Sequence, residues 1–215
     1  MSSSRLETST QSNKPEPYHH GNLRATLLET AQILVGEVGA DGFSLRELAR
    51  RANVSPAAPY HHFKDKAALI RALAKESQER LGLASQAALE GITHPVMRLS
   101  ALGVAYVLYA FEHPSEFRLM FRHELHSPLG ATNQEQLEMN KPDPAFVLLK
   151  QTLIECRNAG CIPITSEKAL ELATISTWSL VHGLATLIVD GPLMHTIRTK
   201  EQVIEVTRHI TRGMA

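Results

Sequence analysis

The sequence predicts an all-α fold with about nine or ten helices: an N-terminal three-helix domain that contains a helix-turn-helix, followed by a larger helical domain. Apolar residues recur at helical spacing through most of the chain after residue 22. Ser, Thr or Asp stands at most of the expected helix starts, and Gly or Pro at most of the expected ends. No segment shows the alternation of apolar and polar residues that a half-buried strand requires.

The first expected helix follows a segment without periodicity. Residues 1–17 are rich in Ser, Thr, Asn and Pro, which predicts a disordered N-terminal arm. Helical periodicity begins near Asn22, and Gly39 is placed to end the helix as a C-terminal cap. The expected buried stripe comprises Leu23, Leu27, Ala31, Leu34 and Val38.

Two short helices are predicted next. Ser44 and Glu47 form a capping box, so a helix is expected to begin at Ser44 and to end near Ala52. Ser55 is positioned as a second N-cap, with Pro56 in the favoured first helical position. Two short helices joined by a tight turn are the layout of a helix-turn-helix.

Caps and breakers also mark the later helices, and residues 127–142 have the composition of a loop. The expected helix starts are Asp65, Asp143, Ser166 or Thr165, and Thr199, and the expected breaks are His113-Pro114, Gly160 and Gly191-Pro192.

The composition leaves the partner open. The 215 residues suffice for one large domain or two small ones, and 22 Lys and Arg balance 22 Asp and Glu. Any DNA-binding face must therefore be a local patch. Two Cys fit a reduced protein, and neither a signal peptide nor an apolar run of membrane-spanning length is apparent. We expect a cytoplasmic protein without a membrane partner.

The second short helix is expected to enter the major groove of DNA. Pro59 and Phe63 are four residues apart, which places them on one face, toward the core. Pro56 and Ala57 then lie outward and offer apolar contact to thymine methyl groups. Lys66, just after the Asp65 cap, opposes the helix macrodipole unless a phosphate docks there.

The segments YHHGNLRATLLETA and GADGFSLRELARRANVSPAAPYHHFKDKAALI closely resemble the N-terminal DNA-binding domain of TetR-family regulators. The resemblance implies a DNA-binding domain over residues 18–80, with the helix-turn-helix over residues 44–63. The predicted DNA-contacting residues are Ser44, Arg46, Ser55, Pro56, Ala57, Ala58, Tyr60, His61, His62 and Lys66.

The segment TWSLVHGLATLIVDG resembles the subgroup of this family that is named for a Trp, His, Gly signature, here Trp178, His182 and Gly183. This resemblance implies that residues 81–215 form a helical domain that binds a small effector and dimerises. A small apolar or amphipathic effector would suit the aromatic candidates, for which plain core packing is the alternative. The predicted pocket residues are Tyr106, Phe117, Met120, Phe121, Trp178 and His182.

The longest predicted helix, about residues 166–189, carries apolar residues on more than one face. A helix that is apolar nearly all round needs partners on several sides, which favours pairing with a second copy. The predicted homodimer interface comprises Leu180, Leu184, Ile188, Val203, Val206 and Ile210.

The resulting functional prediction is a homodimeric regulator that binds a near-palindromic double-stranded operator. Repression relieved by the effector is what the resemblance implies, with activation as an alternative. The sequence has no P-loop, dinucleotide glycine motif or nucleophile elbow, so no enzyme and no cofactor are expected.

Two other functions stay open: an architectural DNA-binding protein without an effector, and a helical metal-dependent hydrolase. The second would use His123 and His126, with His113 or His182 as a third ligand, although no metal is expected. A redox switch at Cys156 and Cys161 has no neighbouring group to favour the thiolate.

Overall fold

A computed structural model describes residues 23–122 and 142–212. Within these ranges the chain is helical, with eight α-helices, two short 3₁₀ helices and no strand. The arm at residues 1–17 and the pair His123 and His126 lie outside the described residues. The α-helices are α1 (Leu23–Val38), α2 (Leu45–Arg51), α3 (Lys66–Ala87), α4 (Pro95–Glu112), α5 (Pro114–Met120), α6 (Pro144–Asn158), α7 (Glu167–Val189) and α8 (Lys200–Arg212).

Local caps set the helix starts as the sequence predicts. The side chains of Ser44, Asp65 and Ser166 each accept a hydrogen bond from the backbone N–H three residues further on. This satisfies one of the donors that a helix start leaves unpaired. Only half of the first capping box forms, because the Glu47 carboxylate binds the Arg50 guanidinium at 2.7 and 2.9 Å.

The second helix of the helix-turn-helix differs from the prediction. It is a 3₁₀ helix over Ala58–His61 that has no side-chain cap, whereas an α-helix capped by Ser55 was expected. Pro59 is the physical reason, since it has no N–H to donate to the carbonyl of Ser55 four residues back. The Ala58 N–H, three residues on, donates a hydrogen bond to the Ser55 carbonyl instead, at 3.0 Å. This tighter pitch turns Ala58 inward, leaving it 9% exposed.

The turn between α2 and the 3₁₀ helix contains Asn53, the one residue other than glycine with positive φ, +54°, in the described part of the chain. Asn tolerates this region and a β-branched residue does not. We expect Asn53→Val to lower the free energy of unfolding by about 1–2 kcal/mol in a urea titration. The matched variant Asn53→Gly should leave it nearly unchanged, and equal losses in both variants would refute the backbone explanation.

The N-terminal helices surround one apolar core. Leu27, Leu48, Leu69 and Leu73, from three different helices, are fully buried in it. Pro59 and Phe63 are also buried, as predicted, so the 3₁₀ helix is anchored from below. This packing holds the helix-turn-helix as a rigid unit with one face outward.

The C-terminal helices form two further apolar clusters, in which α4 lies against α6, α7 and α8. The helix α3 runs unbroken through residue 80 and belongs to both regions: Leu73 lies in the N-terminal core and Leu81 in a C-terminal one. A division at residues 80 and 81 thus falls inside a helix, and it stays a prediction.

The helix α5 also joins the two regions. Its Leu119 packs in the N-terminal core, while Phe117 and Met120 pack in the C-terminal core. Just after α5, the Arg122 guanidinium makes two 3.0 Å hydrogen bonds to the carboxylate of Asp41, in the loop before α2. A displacement of α5 would therefore reach the helix-turn-helix directly.

The helix α7 corrects one expectation. By length and composition alone it is apolar enough to cross a membrane, although the sequence analysis expected no such run. Its inner face packs in the C-terminal clusters through Leu170, Val181 and Ile188. A core helix of this kind passes the same test, so α7 is weak evidence for a membrane.

Candidate DNA interface and effector cavity

The outer surface of the helix-turn-helix is built from small and hydrogen-bonding side chains. Pro56 and Ala57 are exposed ahead of the 3₁₀ helix, and the side chain of Tyr60 is 53% exposed within it. His61 and His62 are exposed beside Tyr60. These five predicted residues are therefore accessible to a partner, and Ala58, which was predicted to belong with them, is buried.

Basic side chains flank this surface. Arg46 is exposed on α2, and among the described residues it has no acidic partner. Arg50 and Arg51 differ, because Glu47 and Glu37 each hold one of them in an ion pair of 2.7 Å. The flank is thus less cationic than the sequence suggests.

Lys64 is a basic residue that the sequence analysis missed. It is exposed directly after the buried Phe63, at the edge of the predicted DNA surface. Its place in the chain, just beyond the two His, was the available signal.

Lys66 was predicted to contact phosphate, and its position has another explanation. Its ammonium group donates to the carbonyl oxygen of Asp41 at 3.1 Å and to that of Phe43. It also lies 4.7 Å from the centre of the Phe43 ring. These contacts offset the unfavourable interaction between the Lys66 cation and the positive end of the α3 dipole. They also connect α3 to the loop before α2. The contact between Lys66 and a DNA phosphate stays a prediction.

An aromatic cluster surrounds His182 in the C-terminal region. The Trp178 ring stacks on the imidazole with centroids 5.2 Å apart, and the Phe121 ring meets it edge-on at 4.5 Å. The Tyr106 hydroxyl hydrogen-bonds to Nδ1 of His182 at 2.9 Å. Burial lowers the pKa of His182 and raises the pKa of Tyr106, so both groups are neutral at pH 7.

A cavity lies beside this cluster, between α3, α4, α6, α7 and α8. Tyr106 and Trp178 line it, and their contact with an effector stays a prediction. Phe117 and Met120 do not, because both side chains are buried in the core. Phe121 and His182 belong to the neighbouring aromatic cluster and are not among the residues that line the cavity. The cavity lining that the sequence missed includes Ser85, Asp143, Phe146 and Thr177.

Three predicted dimer residues lie inside the protomer. Leu184, Ile188 and Val203 are buried in the C-terminal core, and Val206 and Ile210 are partly buried against it. Of the predicted set, only Leu180 is exposed. Helical spacing shows that a face is apolar without showing what covers it, so the burial of these three residues could not be predicted, and the dimer interface itself stays a prediction. The large apolar residues that α7 does expose are Leu172, Ile175, Leu180 and Leu187.

Gly183 lies on this exposed face. A Cβ atom built on Gly183 would meet nothing within 4 Å, so packing within the protomer does not require a glycine there. Gly in a helix interior lowers helix stability by about 1 kcal/mol relative to Ala. A glycine at such a position is usually explained by the close approach of another backbone, here one from outside the chain.

The remaining candidates lack support among the described residues. No three His, Cys, Asp or Glu side chains in residues 23–122 and 142–212 are grouped as metal ligands. Cys156 is fully buried, and its burial raises the pKa of the thiol to about 11, which disfavours the reactive thiolate.

Two family models match the chain. Residues 27–73 match the model described as bacterial regulatory proteins of the tetR family, and residues 99–210 match a tetracyclin repressor-like C-terminal domain. A helix-turn-helix transcriptional repressor of Mycobacterium tuberculosis is 35% identical over 80 residues, which are 37% of this chain and 43% of the repressor. The chain thus matches less than half of the length of its curated relatives.

Solved structures match over nearly the whole length. A protein of unknown function from Rhodococcus is 36% identical, with a TM-score of 0.73 over 92% of this chain and 98% of that one. The regulator FadR of Bacillus subtilis, solved with stearoyl-CoA, has a TM-score of 0.68 over 89% of this chain and 97% of that one. At 14% identity, this second likeness shows the fold alone.

Proposed function

Because the chain belongs to the TetR family of bacterial regulatory proteins, we propose that it is a cytoplasmic, sequence-specific transcriptional regulator, a homodimeric repressor that a small effector releases from its operator. The observation that carries this proposal is the outward face of the helix-turn-helix. Its small side chains are exposed while Pro59 and Phe63 anchor it from below. An element held in this way can enter a major groove without disturbing the core.

The DNA-facing side chains divide into two groups by chemistry. Pro56 and Ala57 bring the backbone close to base edges and offer apolar contact to thymine methyl groups. Tyr60, His61 and His62 carry hydrogen-bonding groups that suit phosphates or bases. Ser44, Arg46, Ser55 and Lys66 flank them and would fix the orientation on the phosphate backbone.

A homodimer is supported by the exposed face of α7. Leu180, Gly183 and Leu187 follow one another at spacings of three and four residues, so they form a single stripe along the helix. A second copy of the stripe, related by a twofold axis, would cover the apolar side chains and cross closely at Gly183. The same axis would place two recognition elements for a near-palindromic operator.

Effector control is supported by the position of α5. Its Phe117 and the following Phe121 lie against His182, at ring distances of 5.5 and 4.5 Å, while Leu119 belongs to the DNA-binding core. An effector that widens the neighbouring cavity would shift α5 and, through Arg122, the loop at Asp41. It can act only to the extent that it binds one arrangement more tightly than the other.

Selection of bound duplexes from a random pool tests the DNA-binding part. The expected result is enrichment of one near-palindromic site whose affinity falls steeply with salt. An architectural protein would bind DNA without enriching any site. Failure to bind any duplex would contradict the proposed function.

A further inference from the structure

A carboxylate lies in the wall of the effector cavity. Asp143 caps α6, where its Oδ1 accepts a hydrogen bond from the Ala145 N–H at 2.8 Å. The side chain is half-buried and lines the cavity, and burial raises its pKa. Within residues 23–122 and 142–212, no Lys, Arg or His lines the cavity or pairs with Asp143. Among the described residues, the cavity lining thus carries one acidic side chain and no basic one.

Close helix packing holds this carboxylate in place. At Gly82, a Cβ atom would lie only 2.7 Å from the Cβ of Pro144, the residue after Asp143. The glycine lets α3 contact the start of α6 directly. The position of Asp143 is thus set by the fold rather than by a free loop.

Aromatic rings also line the cavity. Tyr106, Phe146 and Trp178 line it, and the Phe146 and Trp178 rings meet at 87° with centroids 6.1 Å apart. The faces of such rings carry negative potential and attract cations. Ring faces and a carboxylate in one cavity favour a positively charged ligand group.

Two residues with hydroxyl groups also line the cavity. Ser85 is 2% exposed and Thr177 is 6% exposed. Neither hydroxyl forms a hydrogen bond within the part of the chain that the structure describes. Both groups are therefore available to a bound molecule.

We propose that the effector is an amphipathic amine whose protonated nitrogen binds the Asp143 carboxylate and whose apolar body lies against Trp178, Phe146 and Tyr106. The inference rests on the proposed function and names the effector class. Among the described residues, the lining of this cavity offers no cation for the phosphates of an acyl-CoA of the kind bound to the Bacillus subtilis neighbour.

The cavity is smaller than such a ligand. Its free volume of about 30 Å³ is no more than one or two water molecules occupy. Binding must therefore separate the walls contributed by α4, α6 and α7. The bound form of the protein would therefore differ in helix positions from the free form. Release from DNA depends on such a difference.

Trp178 is the only tryptophan in the chain, so its fluorescence reports binding at the cavity directly. Three probes of nearly equal size differ in charge: phenylbutylamine, phenylbutanol and phenylbutyrate. We expect the amine to bind at least about 10-fold more tightly than the alcohol, and the carboxylate to bind most weakly. Asp143→Asn keeps the N-cap and the side-chain volume, so the protein should remain folded. This variant should bind the amine about 10-fold more weakly and leave alcohol binding nearly unchanged.

The matched control is Asp65→Asn, the same change at the N-cap of α3, away from the cavity. It should leave the binding of all three probes unaltered. The proposal is overturned by equal affinity for amine and carboxylate, by undiminished amine binding in Asp143→Asn, or by no response to the amine at millimolar concentration. Operator binding, measured on the same protein preparations without probe, distinguishes failure of the effector class from failure of the proposed function. If the probe-free protein binds its operator, any of these results refutes only the effector class, whereas failure of the probe-free wild-type protein to bind DNA refutes the proposed function.

Discussion

Leu180→Glu should yield a folded monomer that no longer binds operator DNA. Leu180 is 39% exposed, one turn from Gly183 on the apolar stripe of α7, so a charge there meets solvent in the monomer. In the proposed dimer, the glutamates of both copies would be brought together and desolvated near the twofold axis, which costs several kcal/mol. Loss of the second DNA-binding unit should then weaken operator binding by about 10²–10⁴-fold, although no DNA-contacting residue has changed.

Analytical ultracentrifugation and a binding titration test this expectation. Leu83→Glu is the matched control, because Leu83 is 71% exposed on α3, outside the stripe. It should remain dimeric and bind the operator normally. A dimeric Leu180→Glu protein would place the interface elsewhere.

Ala57→Glu should abolish operator binding without unfolding the protein. Ala57 is exposed just ahead of the 3₁₀ helix, where its methyl group is expected against base edges. A carboxylate at that position is too large for the close approach and is repelled by the phosphates, a penalty of several kcal/mol. We expect the affinity to fall by more than about 100-fold at every salt concentration. The free energy of unfolding should change by less than about 0.5 kcal/mol, since the site is exposed.

Ala87→Glu serves as the comparison for this variant. Ala87 is also exposed, at the far end of α3 from the helix-turn-helix. The same added charge there should leave DNA affinity almost unaltered. A large fall in the melting temperature of Ala57→Glu would show that Ala57 is packed in the core, and that the surface assigned to DNA is wrong.

Helix starts and stops could be predicted from the sequence because their causes are local. Ser44, Asp65 and Ser166 accept backbone hydrogen bonds from within their own first turns. Gly39 and Gly160 follow helices with φ of +76° and +68°, a backbone conformation that favours glycine. The all-α fold and the helix-turn-helix follow from these signals, together with apolar spacing.

The 3₁₀ form of the second helix of the helix-turn-helix, Ala58–His61, is a local feature that the prediction missed. Ser55 and Pro56 have the sequence of an α-helix start, but Pro59 removes the hydrogen bond that the first α-turn needs. The 3₁₀ geometry that results turns Ala58 toward the core. Here the information lay in the sequence, and one residue outweighed a favourable cap.

What covers each apolar face was decided only by the tertiary structure. Leu184, Ile188 and Leu180 are equally apolar in the sequence, yet the first two are buried by the protomer's own helices and the third is left outside. In the same way, only the packing of α3 against α6 places Asp143 in the cavity wall. The physical reason is range: a cap or a turn depends on neighbours within about four residues, whereas burial depends on contacts between helices far apart in the chain.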